Sequence, residues 1–226
     1  MKGNIVYKIL IVEDSSSIRD ELVVLLENNL YEVVAVTDFA NILKKVEEVS
    51  PDLILLDIIL PNINGIDICR EIRQKNDTPI IFVTSKATTE SELNAILIGG
   101  DDYITKPYNA AVLLARITSV LKRYGKGKNN TSYICKGCKL NLLDSTISYN
   151  GQSTELTKNE LRICYNLFSK CGQIVPREYI IEDLWDNEMF IDDNTLSVNI
   201  TRIRGKLKDI GVEDLIKTKR GIGYKI

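Results

Sequence analysis

Residues 52–67, DLILLDIILPNINGID, carry an apolar run, Leu53–Leu56, straight into a carboxylate at Asp57, with a proline at 61 and a glycine at 65 breaking the chain beyond it. A buried charge costs free energy unless it is paired or holds a metal. An acid closing an apolar strand therefore marks a site rather than a core position. The segments on either side repeat the same rhythm. YKILIVED (7–14), YEVVAVT (31–37), PIIFVTS (79–85) and DYITK (102–106) read as strands. They alternate with amphipathic helical stretches at 16–29, 39–49, 65–75, 90–99 and 109–123, the first with Ile18, Leu22, Leu25 and Leu26 on one face. Five such βα units predict a five-stranded, doubly wound parallel sheet covered on both faces.

The chain of 226 residues has room for two domains, and its 44% apolar and 27% charged composition is that of a globular protein. No apolar run is long enough to span a bilayer. The first residues, MKGNIVYKILIVED, read as a strand and not a secretory leader, which places the chain in the cytoplasm. Five cysteines, an odd number, then read as free thiols. The absence of histidine excludes Ser-His-Asp and Cys-His catalysis and histidine-based zinc sites. Charge divides the chain: residues 1–124 hold 13 basic and 18 acidic side chains, residues 131–226 hold 14 and 13, and two lysines lie between. An acidic half followed by a locally basic half predicts two jobs. YGKGKNNTS (124–132), glycine-rich and without an apolar face, is the expected linker between a first domain at 1–123 and a second at 133–226.

In parallel α/β sheets functional groups gather at the carboxyl ends of the strands. Here those ends supply Glu13, Asp14, Asp57, Thr84 and Lys106. Clustered carboxylates suit Mg²⁺, a hard cation with oxygen ligands. A lysine and a hydroxyl can bind phosphoryl oxygens, and Asp57 can act as the nucleophile. Singly, each has an ordinary reading, such as acids beside a helix start or a strand threonine; together they point to phosphoryl chemistry.

VED, LLDIILPNINGI, VTSK and DDYITKPY resemble the receiver domain of bacterial two-component response regulators, over residues 7–123. The resemblance implies a flavodoxin-like fold, with Asp57 as phosphoacceptor and Glu13, Asp14, Asp57 and the backbone carbonyl of Ile59 as ligands for Mg²⁺. Lys106 would bind the phosphoryl group, and Thr84 and Tyr103 would form a switch pair. Phosphatases of the haloacid dehalogenase type also place an aspartate nucleophile after an apolar strand, but as D-x-D, and the second acid's position is Ile59 here.

Beyond the linker the pattern changes to short strands near 133–136, 140–143 and 146–149 and a YNGQS turn at 149–153. A helix at 157–171 opens with Thr157 and Glu160, a capping box. A second helix starts at Pro176, a favoured first-turn position, and a third covers 193–209. The chain ends in LIKTKRGIGYKI, two strands about a glycine turn. The third helix places Leu196, Ile200, Ile203 and Leu207 on one face and Thr195, Asn199, Arg202 and Lys206 beside it. A helix-turn-helix followed by a basic hairpin is a plausible groove reader.

ELTKNELRICYNLF, VPREYIIEDLW, DDNTLSVNITRIRGKL and IKTKRGIGYKI resemble the α+β winged helix-turn-helix effector domain of the OmpR/PhoB group. That likeness implies double-stranded promoter DNA and RNA polymerase as partners and a membrane histidine kinase as phosphoryl donor. Helix 193–209 would enter the major groove, with Asn194, Thr195, Asn199, Arg202, Arg204, Thr218, Arg220 and Tyr224 at the DNA. Asn199 and Arg202 would read base edges. It also implies a homodimer formed on phosphorylation through the faces at 90–99, 102–106 and 109–123. Asp101, Asp102, Arg116 and Arg123 match its salt-bridge positions, whereas Asn94 and Val112 depart from them. LWDNEMFIDDNTLSVNITRIRGKL is similar to the subgroup that responds to peptide antibiotics. Cys135 and Cys138 form a C-x-x-C, but zinc needs four ligands, and Cys69, Cys164 and Cys171 fall on predicted helices. Free thiols are therefore expected.

Overall fold

The structure is a computed structural model that describes residues 7–85, 93, 95–124, 132–185 and 193–226. Most of the expected linker, Asn94 and much of the helix expected at 90–99 lie outside the described residues. Two compact units divide the chain, and residues 7–124 and 132–226 are taken in turn.

The first unit alternates β1 (Lys8–Val12), α1 (Ser16–Glu27), β2 (Glu32–Ala35), α2 (Ile42–Val49), β3 (Leu53–Leu56), α3 (Gly65–Arg73), β4 (Ile80–Thr84), β5 (Asp102–Thr105) and α4 (Ala110–Tyr124). The sheet order is β2-β1-β3-β4-β5 and every pairing is parallel. Ile9, Leu10, Ile11, Leu53, Ile54, Leu56, Ile80, Ile81 and Phe82 are wholly enclosed. This is why the central strands read as continuous apolar runs rather than alternating ones. Burying each such side chain contributes about 1.5–3 kcal/mol. The edge strand β2 is only half-buried. The expected helix at 39–49 divides into a short 3₁₀ turn, Phe39–Asn41, capped by Asp38, and α2. A two-stranded ribbon, Ile59–Leu60 with Ile63–Asn64, follows Asp57 and was not expected from the sequence.

The second unit opens with an antiparallel sheet of four strands, β6 (Ser132–Cys135), β7 (Cys138–Asn141), β8 (Thr146–Tyr149) and β9 (Gln152–Glu155). The segment expected as a turn at 149–153 is a hairpin whose left-handed pair, Asn150 and Gly151, launches a fourth strand too polar to be seen in the sequence. Then come α5 (Lys158–Ser169), β10 (Ile174–Pro176), α6 (Arg177–Trp185), α7 (Asp193–Asp209), β11 (Lys217–Lys219) and β12 (Gly223–Lys225). The expected capping box is present: Thr157 Oγ1 accepts from Glu160 N, and Glu160 Oε2 accepts from Thr157 N. Pro176 does not start the second helix. It ends β10 opposite Gly223, on the edge of a three-stranded sheet in the order β10-β12-β11, where a missing N–H is tolerated. Leu196, Ile200, Ile203 and Leu207 form the buried stripe of α7. Three helices against a small sheet, with a C-terminal β-hairpin turning at Gly221, make a winged helix-turn-helix.

The free-thiol expectation fails for two of the five cysteines. Cys135 and Cys171 form a disulfide, with their Cα atoms 6.0 Å apart. Helix α5 ends at Ser169, so Cys171 lies in the turn beyond it, close to the end of β6. A contact across 36 residues of sequence leaves no local trace. Cys69, Cys138 and Cys164 are free and buried.

Candidate functional site

In the first unit the sheet itself assembles the site. At the strand ends Asp57 N donates to Val12 O and Lys106 N to Thr84 O, both at 2.9 Å, so the backbone brings the acids and the lysine together. Glu13 is 2% and Asp57 4% exposed. Lys106 Nζ lies 2.5 Å from Glu13 Oε2 and 2.6 Å from Asp57 Oδ2. Asp57 Oδ1 accepts from Ile59 N at 3.0 Å, which sets the Ile59 backbone beside the carboxylate. Asp14 is exposed at the rim, and one oxygen each from Glu13, Asp14 and Asp57 lie within 4.8 Å of one another.

Burial pushes the Glu13 carboxyl up, against the opposing pull of Lys106. The Lys106 ammonium is opposed by burial, yet its hydrogen bonds to Asp57 and Glu13 hold its pKa above the ordinary value. Burial and the nearby Glu13 and Glu21 carboxylates push the Tyr108 hydroxyl up to about 12. Three carboxyl groups converge beside one ammonium, and oxygen donors are the type that Mg²⁺ takes. The residues fit the metal expected of them.

Thr84 is fully buried at the end of β4, paired in register with Thr105, and Tyr103 is 5% exposed beside Phe82. The aromatic ring of the expected switch pair thus lies inward. The sequence marks Gly65 only as a chain breaker, yet its place is exacting: a Cβ there would sit 2.0 Å from the Asp57 carbonyl oxygen. The only local signal is the Asn-Gly step at 64–65, with Asn64 capping α3.

The residues expected at a dimer face are all bonded within their own unit. Asp101 Oδ2 accepts from Arg73 Nη2 and from Ile80 N, each at 2.9 Å, while Oδ1 accepts from the Tyr124 hydroxyl. With 9% of its side chain exposed, Asp101 is a structural anchor for β4 and β5. Arg123 Nη2 donates to Asp101 O. Arg116 and Asp102 pair at 2.6 Å with the arginine half-exposed, and Val112 is exposed on the same helix.

In the second unit Asn194, Arg202, Arg204, Thr218 and Arg220 are exposed and Thr195 is half-exposed. Two residues expected at the DNA are buried. Asn199 is 7% exposed and donates to Thr195 O one turn back, and Tyr224 is 3% exposed with its hydroxyl accepting from Arg177 Nη1. Both side chains are bonded within the unit. Lys206 also turns inward, donating to Glu160 Oε2 and Glu155 O. The exposed stripe of α7 is therefore Asn194, Val198, Thr201 and Arg202, rotated from the face expected. Arg204 donates to Ile216 O and Thr218 Oγ1, tying α7 to the first wing strand. Sequence reasoning missed Arg177. It joins Asp193 Oδ1 (2.8 Å), Ser197 Oγ (2.9 Å) and the Tyr224 hydroxyl (2.9 Å), linking the start of α7 to the second wing strand.

Residues 9–118 match the response regulator receiver domain family, and residues 151–226 match the C-terminal domain of transcriptional regulatory proteins. The sensory transduction protein BceR of Halalkalibacterium halodurans is 35% identical, over 96% of this chain and 95% of its own. The transcriptional regulatory protein YxdJ of Bacillus subtilis is 37% identical, over 97% of both. Among solved structures, the BeF3-activated receiver domain of Klebsiella pneumoniae RstA superposes with a TM-score of 0.50 at 32% identity, covering 51% of this chain and 98% of that one. With both domains matched in order and relatives aligned from end to end, the chain belongs to the OmpR/PhoB family of two-component response regulators, transcription regulators whose action depends on phosphorylation.

Proposed function

We propose that Asp57 is the phosphoacceptor and that a membrane histidine kinase is its donor. The observation that carries this reading is the Asp57 carboxylate, 4% exposed yet bonded to Lys106 at 2.6 Å and grouped with two further acids. An Asp57 oxygen forms a bond to phosphorus as the P–N bond to the kinase's histidine breaks, and the leaving imidazole keeps the electron pair. The Lys106 ammonium, already beside that oxygen, follows the charge onto the phosphoryl group. Thr84 donates its hydroxyl to a phosphoryl oxygen, with Tyr103 packed inward behind it. Glu13, Asp14, Asp57 and the Ile59 carbonyl hold Mg²⁺, which supplies positive charge against the phosphoryl oxygens. The chain assists its own phosphotransfer and dephosphorylation and turns over no other substrate.

The domain division is 1–123, a linker at 124–132, and 133–226. Phosphorylated receivers pair through the surface that carries Asp102, Arg116, Val112 and Arg123, with Asp101 supporting it from within. Two winged helices then engage repeated half-sites on promoter DNA, where RNA polymerase is recruited. Asn194, Thr195, Arg202, Arg204, Thr218 and Arg220 supply the contacts. No described helix is long and apolar enough to cross a membrane, which supports action in the cytoplasm without membrane insertion.

The test is intact mass after incubation with acetyl phosphate, with Mg²⁺ or with EDTA, beside Asp57→Ala. A gain of roughly 80 Da, the mass of one phosphoryl group, is expected only with the metal and with Asp57 present. A gain that persists in Asp57→Ala overturns the assignment.

A further inference from the structure

We propose that Cys135 and Cys171 are a reversible thiol–disulfide site, entered from solvent at Cys171 and oxidised by peroxide. Their Cα separation of 6.0 Å lies within the range a disulfide spans without backbone movement. The two ends differ in access. Cys135 is 2% exposed at the end of β6, whereas Cys171 is exposed in the turn after α5. The other three cysteines are buried, and burial pushes each of their thiols up, away from the reactive thiolate. Cys171 is thus the one thiol of the chain that an oxidant in solution meets.

The pair stays assembled when the bond is open. Tyr133, on the same strand as Cys135, meets Tyr165 of α5 edge-on, with ring centres 5.4 Å apart and planes at 84°. This contact joins β6 to α5, the helix that runs into the Cys171 turn, and contains no sulfur. The turn is held independently, since Cys171 N donates to Phe168 O and Gly172 N to Ile226 O. Two thiols kept in register this way present each other at high effective concentration.

The Cys171 thiol gives up its proton and the thiolate attacks peroxide; an S–O bond forms as the O–O bond breaks, and the leaving hydroxide takes up that proton as water, leaving the sulfenic acid. Cys135 sulfur then attacks Cys171 sulfur, its proton leaves with the hydroxyl as a second water, and the S–S bond closes. A dithiol returns both sulfurs to thiols by exchange.

The closed bond ties the strand that begins the effector unit to the turn whose next residue bonds the chain's last residue. It constrains the unfolded chain across a separation of 36 residues. The full-length chain is to be reduced, freed of reductant, treated with a slight excess of hydrogen peroxide, alkylated and digested. A peptide joining residues 135 and 171, lighter by about 2 Da for the two hydrogens lost, is expected, and dithiothreitol should abolish it. The oxidised chain should show an effector-unit unfolding midpoint on the order of 10 °C above the reduced chain. Cys171→Ser, at an exposed position, should lose both the linked peptide and the shift. A Cys135–Cys138 link, oxidation of Cys171 with Cys135 still alkylated, or equal midpoints in the two forms would overturn the proposal.

Discussion

Replacing Arg177 with alanine separates holding the recognition helix from touching DNA. In the structure the guanidinium bonds the start of α7, through Asp193 and Ser197, and the second wing strand, through Tyr224. Tyr224 is 3% exposed, so losing its partner leaves a buried hydroxyl unsatisfied, at a cost of about 1–3 kcal/mol. The Asp193 side chain is 67% exposed, and its ion pair adds no more than about 1 kcal/mol. Ser197 keeps its bond to Asp193 O and adds little. The sum is about 1–4 kcal/mol of stability in the effector unit. Only the part that orients α7 against the wing appears in binding, so affinity for an operator duplex, recovered by selection from random sequence, should fall roughly 5- to 30-fold. Because Arg177 neutralises no phosphate in this reading, the slope of log K against log salt should be unchanged. Arg202→Ala, at an exposed position, should reduce that slope by about one. Arg177→Lys should behave like the alanine variant, since an ammonium lacks the planar fork that reaches three acceptors. Fluorescence anisotropy titrations at four salt concentrations decide the matter. A shallower slope for Arg177→Ala would make it a phosphate contact, and unchanged affinity would mean that the link does not hold the helix.

Gly65→Ala places a methyl carbon 2.0 Å from the Asp57 carbonyl oxygen, and backbone cannot yield cheaply. The receiver should lose about 1–3 kcal/mol by urea unfolding, and its labelling rate with acetyl phosphate should drop at least about tenfold as Asp57 moves. Gly223→Ala meets Val175 O at the same distance in the wing sheet; operator binding should fail while labelling of Asp57 is retained. Acid should weaken the effector unit through Glu160, whose carboxyl is held below its ordinary 4.5: burial opposes, but Lys206 and the Thr157 backbone N–H outweigh it. A lowered folded pKa means the contribution is present above 4.5 and lost as pH falls through the folded value. Lys206→Met should flatten that decline in a series of thermal melts from pH 6 to pH 3, and an equally steep decline would remove Glu160 from the account.

The parallel sheet and its acidic site were legible because both rest on rules local to a strand. A strand covered on two faces must be apolar throughout, and the topology then sends whatever closes it to one edge, so Glu13, Asp57 and Lys106 could be placed together before any coordinates. The second unit was less open to that reasoning. Gln152–Glu155 is polar because its strand is mostly exposed, and nothing in four such residues distinguishes a strand from a loop. Pro176 suits a helix start and an edge strand equally well, and only its pairing with Gly223 decides between them. Arg177 and the Cys135–Cys171 bond depend on partners many residues away.

Helix α7 shows where periodicity stops being informative. The spacing of Leu196, Ile200, Ile203 and Leu207 locates the centre of the buried face, but each residue turns the helix by about 100°, so flanking positions are assigned by what packs there. Glu160, brought up by the capping box of α5, draws Lys206 inward, and the wing strand that carries Tyr224 needs Arg177 at the other end of the helix. Asn199 closes onto Thr195 between these two fixed ends. Of the two expected base readers, Asn199 is thus held within the unit and Arg202 stays exposed, in a stripe with Asn194, Val198 and Thr201. Among these only Arg202 has the bidentate reach that suits guanine. If Arg202 reads a base in the proposed complex, a single long reader flanked by short side chains would concentrate discrimination at one base pair per half-site, and the spacing of two half-sites, set by the proposed pairing of two chains, would then be the larger part of operator choice.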